Sequence, residues 1–183
     1  MTSKPAADAP FRPRLATLAD ADRLAALMNA AIGELQRGFL TAEQIAASRM
    51  IMGIDRQLIA DATYFVVEAG FEIAGCGGWS RRATLYGGDH SPGRDAALLD
   101  PRVDAARVRA MYTSPAFARR GVGRLILSLC EAAARAEGFT RVELAGTMSG
   151  QPLYESCGYR VIEPILDDRG GVPVPLVRMG KAL

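Results

Sequence analysis

Apolar and polar positions recur at two different spacings along this chain, and each change of spacing marks a strand or a helix. Phe11 to Leu15 predicts a short first strand, which Pro13 assigns to a sheet edge. Thr17 and Asp20 suit a helix start, after which Leu24, Leu27, Met28, Ala31 and Leu35 recur at helical spacing. Gly38 interrupts. Thr41, with Gln44 three residues on, forms a capping box that predicts a second helix to about Met52, and Asp55 to Ala60 adds a short helical turn.

The spacing then shortens. Thr63 to Glu68 and Phe71 to Ser80, joined at Gly70, read as a β-hairpin rich in β-branched and aromatic residues. Gly75, Gly77 and Gly78 weaken the second strand unless something passes close to its backbone, either a neighbouring helix or a ligand. Arg82 to Asp104 has no clean period and contains Gly87-Gly88, Pro92-Gly93 and Pro101, so it predicts a long surface excursion.

Val108 to Thr113 is a strand-like run. It leads through Ser114-Pro115 and Ala118-Arg119-Arg120-Gly121-Val122-Gly123-Arg124 into a helix whose apolar residues fall at Leu125, Ile126, Leu129 and Ala133. Gly138 ends that helix. Thr140 to Ala145 predicts a fifth strand, and Pro152 to Cys157 a short helix with proline in its first turn. Tyr159 to Ile165 and Val172 to Met179 predict two last strands joined by a turn, with Pro173 and Pro175 putting the final one partly at an edge. A strand-helix-strand crossover among hairpins gives an α/β layer structure.

Length and charge narrow the functional classes. The 183 residues suit one domain, expected over 11–183 behind a flexible polar stretch at 1–10. Net charge is only +2 and the basic residues are interspersed with acidic ones, so nucleic acid is not an expected partner. Neither a membrane span nor a signal-peptide core is apparent, which predicts a cytoplasmic protein. Cys76, Cys130 and Cys157 lack metal-ligand spacing, and His90 is the only histidine. Reduced thiols and no metal are expected.

The candidate chemistry lies at the start of the long helix. Gly121 and Gly123 let a large group approach the backbone, where the first N–H groups lack intrahelical partners and carry the positive end of the helix dipole. Arg119, Arg120 and Arg124 add permanent positive charge, so a phosphate or pyrophosphate is the natural guest.

This order of elements, with Ala-Arg-Arg-Gly-Val-Gly-Arg at 118–124 and Tyr-Glu-Ser-Cys-Gly-Tyr at 154–159, resembles the GNAT superfamily of acyl-CoA-dependent N-acetyltransferases. One departure is Ala118, where the family often has Arg or Gln. The resemblance implies a mixed, mostly antiparallel central sheet flanked by helices and splayed between its fourth and fifth strands. It implies acetyl-CoA as cosubstrate, its pyrophosphate on the main chain from Arg119 through Arg120, Gly121, Val122 and Gly123 to Arg124. Its pantetheine arm would lie along Met111, Tyr112 and Thr113, with one N–H near Met111 or Tyr112 serving as oxyanion donor.

On the same resemblance Tyr154 is the general acid for the leaving thiolate, and the first two helices, with Glu34 to Phe39 between them, flank the acceptor site. Candidate acceptor contacts are Glu34, Gln36, Arg37 and Phe39, together with Trp79 and, in the long excursion, Tyr86, Asp89 and His90. The general base stays open among Glu143, Glu34, Asp89, His90 and a water relay. The expected reaction is acetyl transfer to a primary amine of a small molecule. The alternatives are a protein N-terminal or lysine acetyltransferase and a non-catalytic acyl-CoA sensor. The apolar late strands suggest a homodimer.

Overall fold

The computed structural model describes residues 10–183, so most of the stretch expected to be flexible, residues 1–9, lies outside the described residues. Strand β1 (Phe11–Leu15) is followed by a 3-10 turn (Leu18–Asp20) and helices α1 (Ala21–Leu35), α2 (Ala42–Ser48) and α3 (Arg56–Ala60). Strands β2 (Tyr64–Ala69) and β3 (Glu72–Ser80) form the hairpin. Strand β4 (Ala106–Thr113) runs through a 3-10 turn (Pro115–Phe117) into α4 (Val122–Ala136). Strand β5 (Arg141–Thr147), helix α5 (Gln151–Ser156) and strands β6 (Arg160–Asp167) and β7 (Val174–Ala182) complete the chain.

All seven strands join one sheet in the order β1-β2-β3-β4-β5-β7-β6. β4 and β5 run parallel, joined by the α4 crossover, while the other neighbouring pairs are antiparallel. The capping box forms as its residues dictate: Gln44 N–H donates to Thr41 Oγ1 at 3.2 Å and Thr41 N–H to Gln44 Oε1 at 3.0 Å. The helix it starts is shorter than its spacing predicts and ends at Ser48.

Two of the three β3 glycines are explained by α4. A Cβ on Gly75 would lie 2.5 Å from Val122 Cγ1, and one on Gly77 would lie 2.8 Å from Ile126 Cγ2. Gly78 serves the hairpin partner instead, since a Cβ there would meet Thr63 O at 2.5 Å. The helix therefore sits directly on the strand, burying Val122, Ile126, Leu127, Cys130 and Ala134.

The edge assigned to the last strand is corrected. β7 lies between β5 and β6, and the edge strands are β1 and β6. Pro175 is tolerated inside the sheet because the β5 ladder ends at the Thr147–Leu176 pair, one residue short of it. The exposed edge β6 carries Val161, Ile162 and Leu166, each at least half exposed.

Candidate functional site

The site begins where β4 and β5 part. They pair at Ala106 with Val142 and at Arg107 with Glu143, and nowhere further along. Glu143 Oε2 holds that end, accepting from Arg107 Nη1 at 2.6 Å and from Arg178 Nη2 at 2.7 Å. From Val108 onward, the main-chain groups of β4 that face β5 lie outside the ladder.

A bulge in β4 accompanies the parting. The register against β3 shifts between Cys76 and Gly78, and Ala110 adopts a φ of 50°, rare for a residue with a Cβ. Tyr64, fully buried, donates its hydroxyl to Ala110 O at 2.7 Å and so anchors the bulge.

The resulting cleft, about 610 Å³ including its open mouth, is walled by Val108 to Tyr112 on one side and by Leu144, Ala145 and Thr147 on the other. Tyr154 closes one end of it. Met52, Gly53, Tyr86, Gly87 and Leu176 form the opposite rim. Tyr154 fits because Gly146 and Gly150 lack side chains: a Cβ on either would approach its Cε2 to 2.9 or 3.1 Å. Its ring tilts against Tyr159, with centroids 5.9 Å apart. Burial pushes the Tyr154 phenol up to about 12, so the group is a neutral proton carrier at physiological pH.

Beyond Thr113 the chain turns into α4 through Arg119 at φ 62° and Gly121 at φ 86°. The first helical turn closes with Leu125 N–H on Gly121 O at 3.0 Å. Among the described residues the N–H groups of Arg119, Gly121, Val122, Gly123 and Arg124 have no main-chain acceptor. A set of N–H groups arranged in this way can receive an anion. The three arginines differ. Arg119 and Arg124 are exposed, with Arg124 Nη2 donating to Ser156 Oγ at 3.0 Å, whereas Arg120 lies over the rings of Phe117 and Phe11 at 4.9 and 5.5 Å.

Of the residues singled out in the sequence, Met111, Tyr112, Tyr154 and Tyr86 line this cleft, and Thr113 ends the same strand. His90 is an exposed neighbour of the rim, with Nε2 3.2 Å from Arg49 O and its ring against Gly53. Asp89 pairs with Arg56 and Arg94. Glu34, Arg37 and Phe39 are exposed and Gln36 is buried, and none of them lines the cleft. Trp79 is not brought to it either: the indole, 2% exposed, packs edge-on against Phe139 in the core. Glu143 is committed to its two arginines at the closed end of the seam.

Asp55 and Arg109 went unassigned in the sequence. Asp55 caps α3, accepting from Gln57 N–H, and its carboxylate is completely buried against Arg109 Nη1 at 2.8 Å and Arg94 Nη2 at 2.7 Å. Arg109 also donates to Gly87 O at 2.6 Å, which holds the rim of the cleft onto β4. Two arginines, Arg107 and Arg109, inside a central strand were the available signal, since a buried guanidinium needs a partner.

The rim is otherwise held by short polar contacts. Gly88 N–H donates to Ile51 O at 3.0 Å, Asp89 N–H to Ile54 O at 2.9 Å and Ser91 Oγ to Ile51 O at 2.5 Å. Arg169, stacked over Tyr86 at 4.9 Å, donates to Pro92 O at 2.7 Å and so ties the β6–β7 turn to the long excursion. Among the described residues no group of three or more His, Cys, Asp or Glu is placed to hold a metal ion. No helix among them is long and apolar enough to cross a membrane.

The family model of the acetyltransferase (GNAT) domain matches residues 60–161. A GCN5-related N-acetyltransferase from Rhodopseudomonas palustris superposes with a TM-score of 0.69 over 96% of each chain at 18% identity. The PaiA N-acetyltransferase of Thermoplasma acidophilum, solved in complex with coenzyme A, gives 0.64 at 13% identity, covering 95% of this chain and 99% of that one. The yncA protein of Salmonella typhimurium, solved with its cofactor acetyl-CoA, gives 0.63 at 18% identity over 95% and 94%. No curated protein sequence matches.

Proposed function

This chain belongs to the GNAT acetyltransferase family, and from that premise we propose that it transfers an acetyl group from acetyl-CoA to a primary amine of a small acceptor. The observation that carries the reading is the parting of β4 from β5 directly in front of the backbone cradle at α4. The coenzyme A and acetyl-CoA complexes among the similar folds support the choice of cosubstrate.

The residues present fit that molecule. The N–H groups from Arg119 to Arg124 would take the pyrophosphate, with the guanidinium groups of Arg119 and Arg124 at its margin. The unladdered main chain from Met111 to Thr113 would take the amides of the pantetheine arm. When bound, acetyl-CoA supplies an activated acetyl thioester. A main-chain N–H at Met111 or Tyr112 facing the carbonyl oxygen would contribute about 3 kcal/mol, as oxyanion donors do in comparable acyl transfers. Holding the reactants in one cleft supplies most of the rest.

Tyr154 holds the proton for the departing sulfur. Among the described residues no Asp, Glu or His lines the cleft, so the proton lost by the amine passes to water at the mouth. Calorimetry with acetyl-CoA and amine-dependent release of thiol test the reading. Tyr154→Phe is expected to keep acetyl-CoA affinity and slow turnover by about tenfold or more. Unchanged turnover removes the acid role, and failure of the folded protein to bind acetyl-CoA overturns the whole assignment.

A further inference from the structure

The lining of the cleft is one-sided in charge. Its fourteen residues include three tyrosines and a majority of apolar or glycine positions, and a single formal charge, that of Arg109. The neutralising partner stands behind it. Asp55 is fully buried, does not line the cleft, and is shared between Arg109 and Arg94. Arg109 is itself 4% exposed, and its Nε–H has no acceptor among the described residues.

A second cleft shares Arg109 with the first and is lined by Arg56, Arg82 and Arg94 as well. In the ion pairs around it, four guanidinium groups meet three carboxylates, Asp55, Asp61 and Asp89. Within these ion pairs the guanidinium groups exceed the carboxylates by one, on the side of the cleft that Arg109 lines. In a recess of reduced dielectric, such an excess opposes a second ammonium on the acceptor and attracts an anion. Met52, Leu176 and the Tyr86 ring supply apolar surface on the same rim.

We propose that the acceptor is a monoamine bearing a carboxylate and an apolar body, of which a free apolar α-amino acid is the simplest form, with the Arg109 side of the cleft selecting the carboxylate. This rests on the acetyltransferase reading above and narrows its substrate. Polyamines and aminoglycoside-like polycations are excluded by the same charge, because nothing acidic in the lining would receive their additional ammonium groups.

The test compares acceptors that differ by the carboxylate alone: L-leucine against 3-methylbutylamine and L-phenylalanine against phenethylamine, with spermidine as the polycation. At fixed pH, thiol release is expected to give the amino acids a kcat/KM about tenfold or more above their decarboxylated partners, a gap equal to about 1.4 kcal/mol. Equal or reversed preference, or spermidine as the best acceptor, overturns the proposal while leaving acetyl transfer intact. Calorimetry in the presence of CoA separates the two readings. Amino-acid binding without thiol release sustains the acceptor class and refutes turnover, whereas neither binding nor release refutes the acceptor class.

The double variant Asp55→Asn, Arg109→Gln removes both charges and leaves an amide at the α3 cap, where it still accepts from Gln57 N–H. Its expected signature is a preference ratio that falls towards one, read as the kcat/KM of each amino acid over that of its decarboxylated partner in the same folded variant. A purely structural role for the pair would slow every acceptor alike, and a ratio that persists in the folded variant overturns the assignment to Arg109.

Discussion

Arg107 and Arg109 stand two residues apart on one strand, and the molecule uses them in opposite ways. Arg107 reaches across the seam to Glu143 of β5, where Arg178 of β7 joins it, and the two strands pair there. Arg109 turns away from β5 to Asp55 at the start of α3 and to Gly87 in the rim, and beside it the strands stay apart. What separates the two is the direction of the charge pair: the strands pair where the bridge crosses the seam and lie apart where it runs to a third element. A bridge across the seam fastens it, and a bridge to a third element leaves the strand's main chain available.

Removing the anchor of the open end should have the largest effect. Asp55→Ala leaves two guanidinium groups without their shared carboxylate in a buried setting, a change expected to destabilise the fold by about 3–5 kcal/mol in denaturant unfolding. Tyr64→Phe removes the hydroxyl that holds the bulge at Ala110. It should cost about 1–2 kcal/mol and lower kcat by more than that stability loss explains, as measured by unfolding and thiol release on the same preparation. Glu143→Gln weakens the closed end, where the groups keep partial solvent access, so a loss of about 1 kcal/mol with acetyl-CoA affinity unchanged is expected. If it instead impaired binding while Tyr64→Phe did not, the roles of the two ends would be reversed.

Much of this contrast was legible in the chain. The capping box at Thr41, the hairpin about Gly70 and the crossover all follow from local spacing, and the structure keeps them; the α4 stripe is shifted, since of Leu125, Ile126, Leu129 and Ala133 only Ile126 is fully buried, beside Val122, Leu127, Cys130 and Ala134. The resemblance carried by residues 118–124 and 154–159 also led to Met111, Tyr112 and Tyr154, which meet in one cleft. What local spacing does not encode is partnership between distant residues. Asp55 reads only as the start of a short helical turn until the fold brings Arg109 and Arg94 to it.

Trp79 follows a run of glycines that suits a neighbouring helix or a ligand, and only the position of α4 decides. The prolines near β7 suggested an edge because sequence does not reveal that the β5 ladder stops one residue before Pro175. Tyr86 and Gly87 lie in a segment without period, so their place on the rim depends on polar contacts to Ile51, Ile54 and Arg109 that no pattern announces.

The extra residue at Ala110 divides β4 into two phases. Ahead of it, Val108 faces the α4 core; past it, Met111 faces that side and Tyr112 the α1 side, the reverse of what strict alternation from Val108 would give. One strand thus keeps two independent frames, one fixed by the demands of folding and one available to chemistry. Substitutions at Met111 or Tyr112 are therefore expected to reshape the cleft without disturbing how Ala106 to Arg109 are seated, and deleting Ala110 would exchange the faces of every side chain downstream.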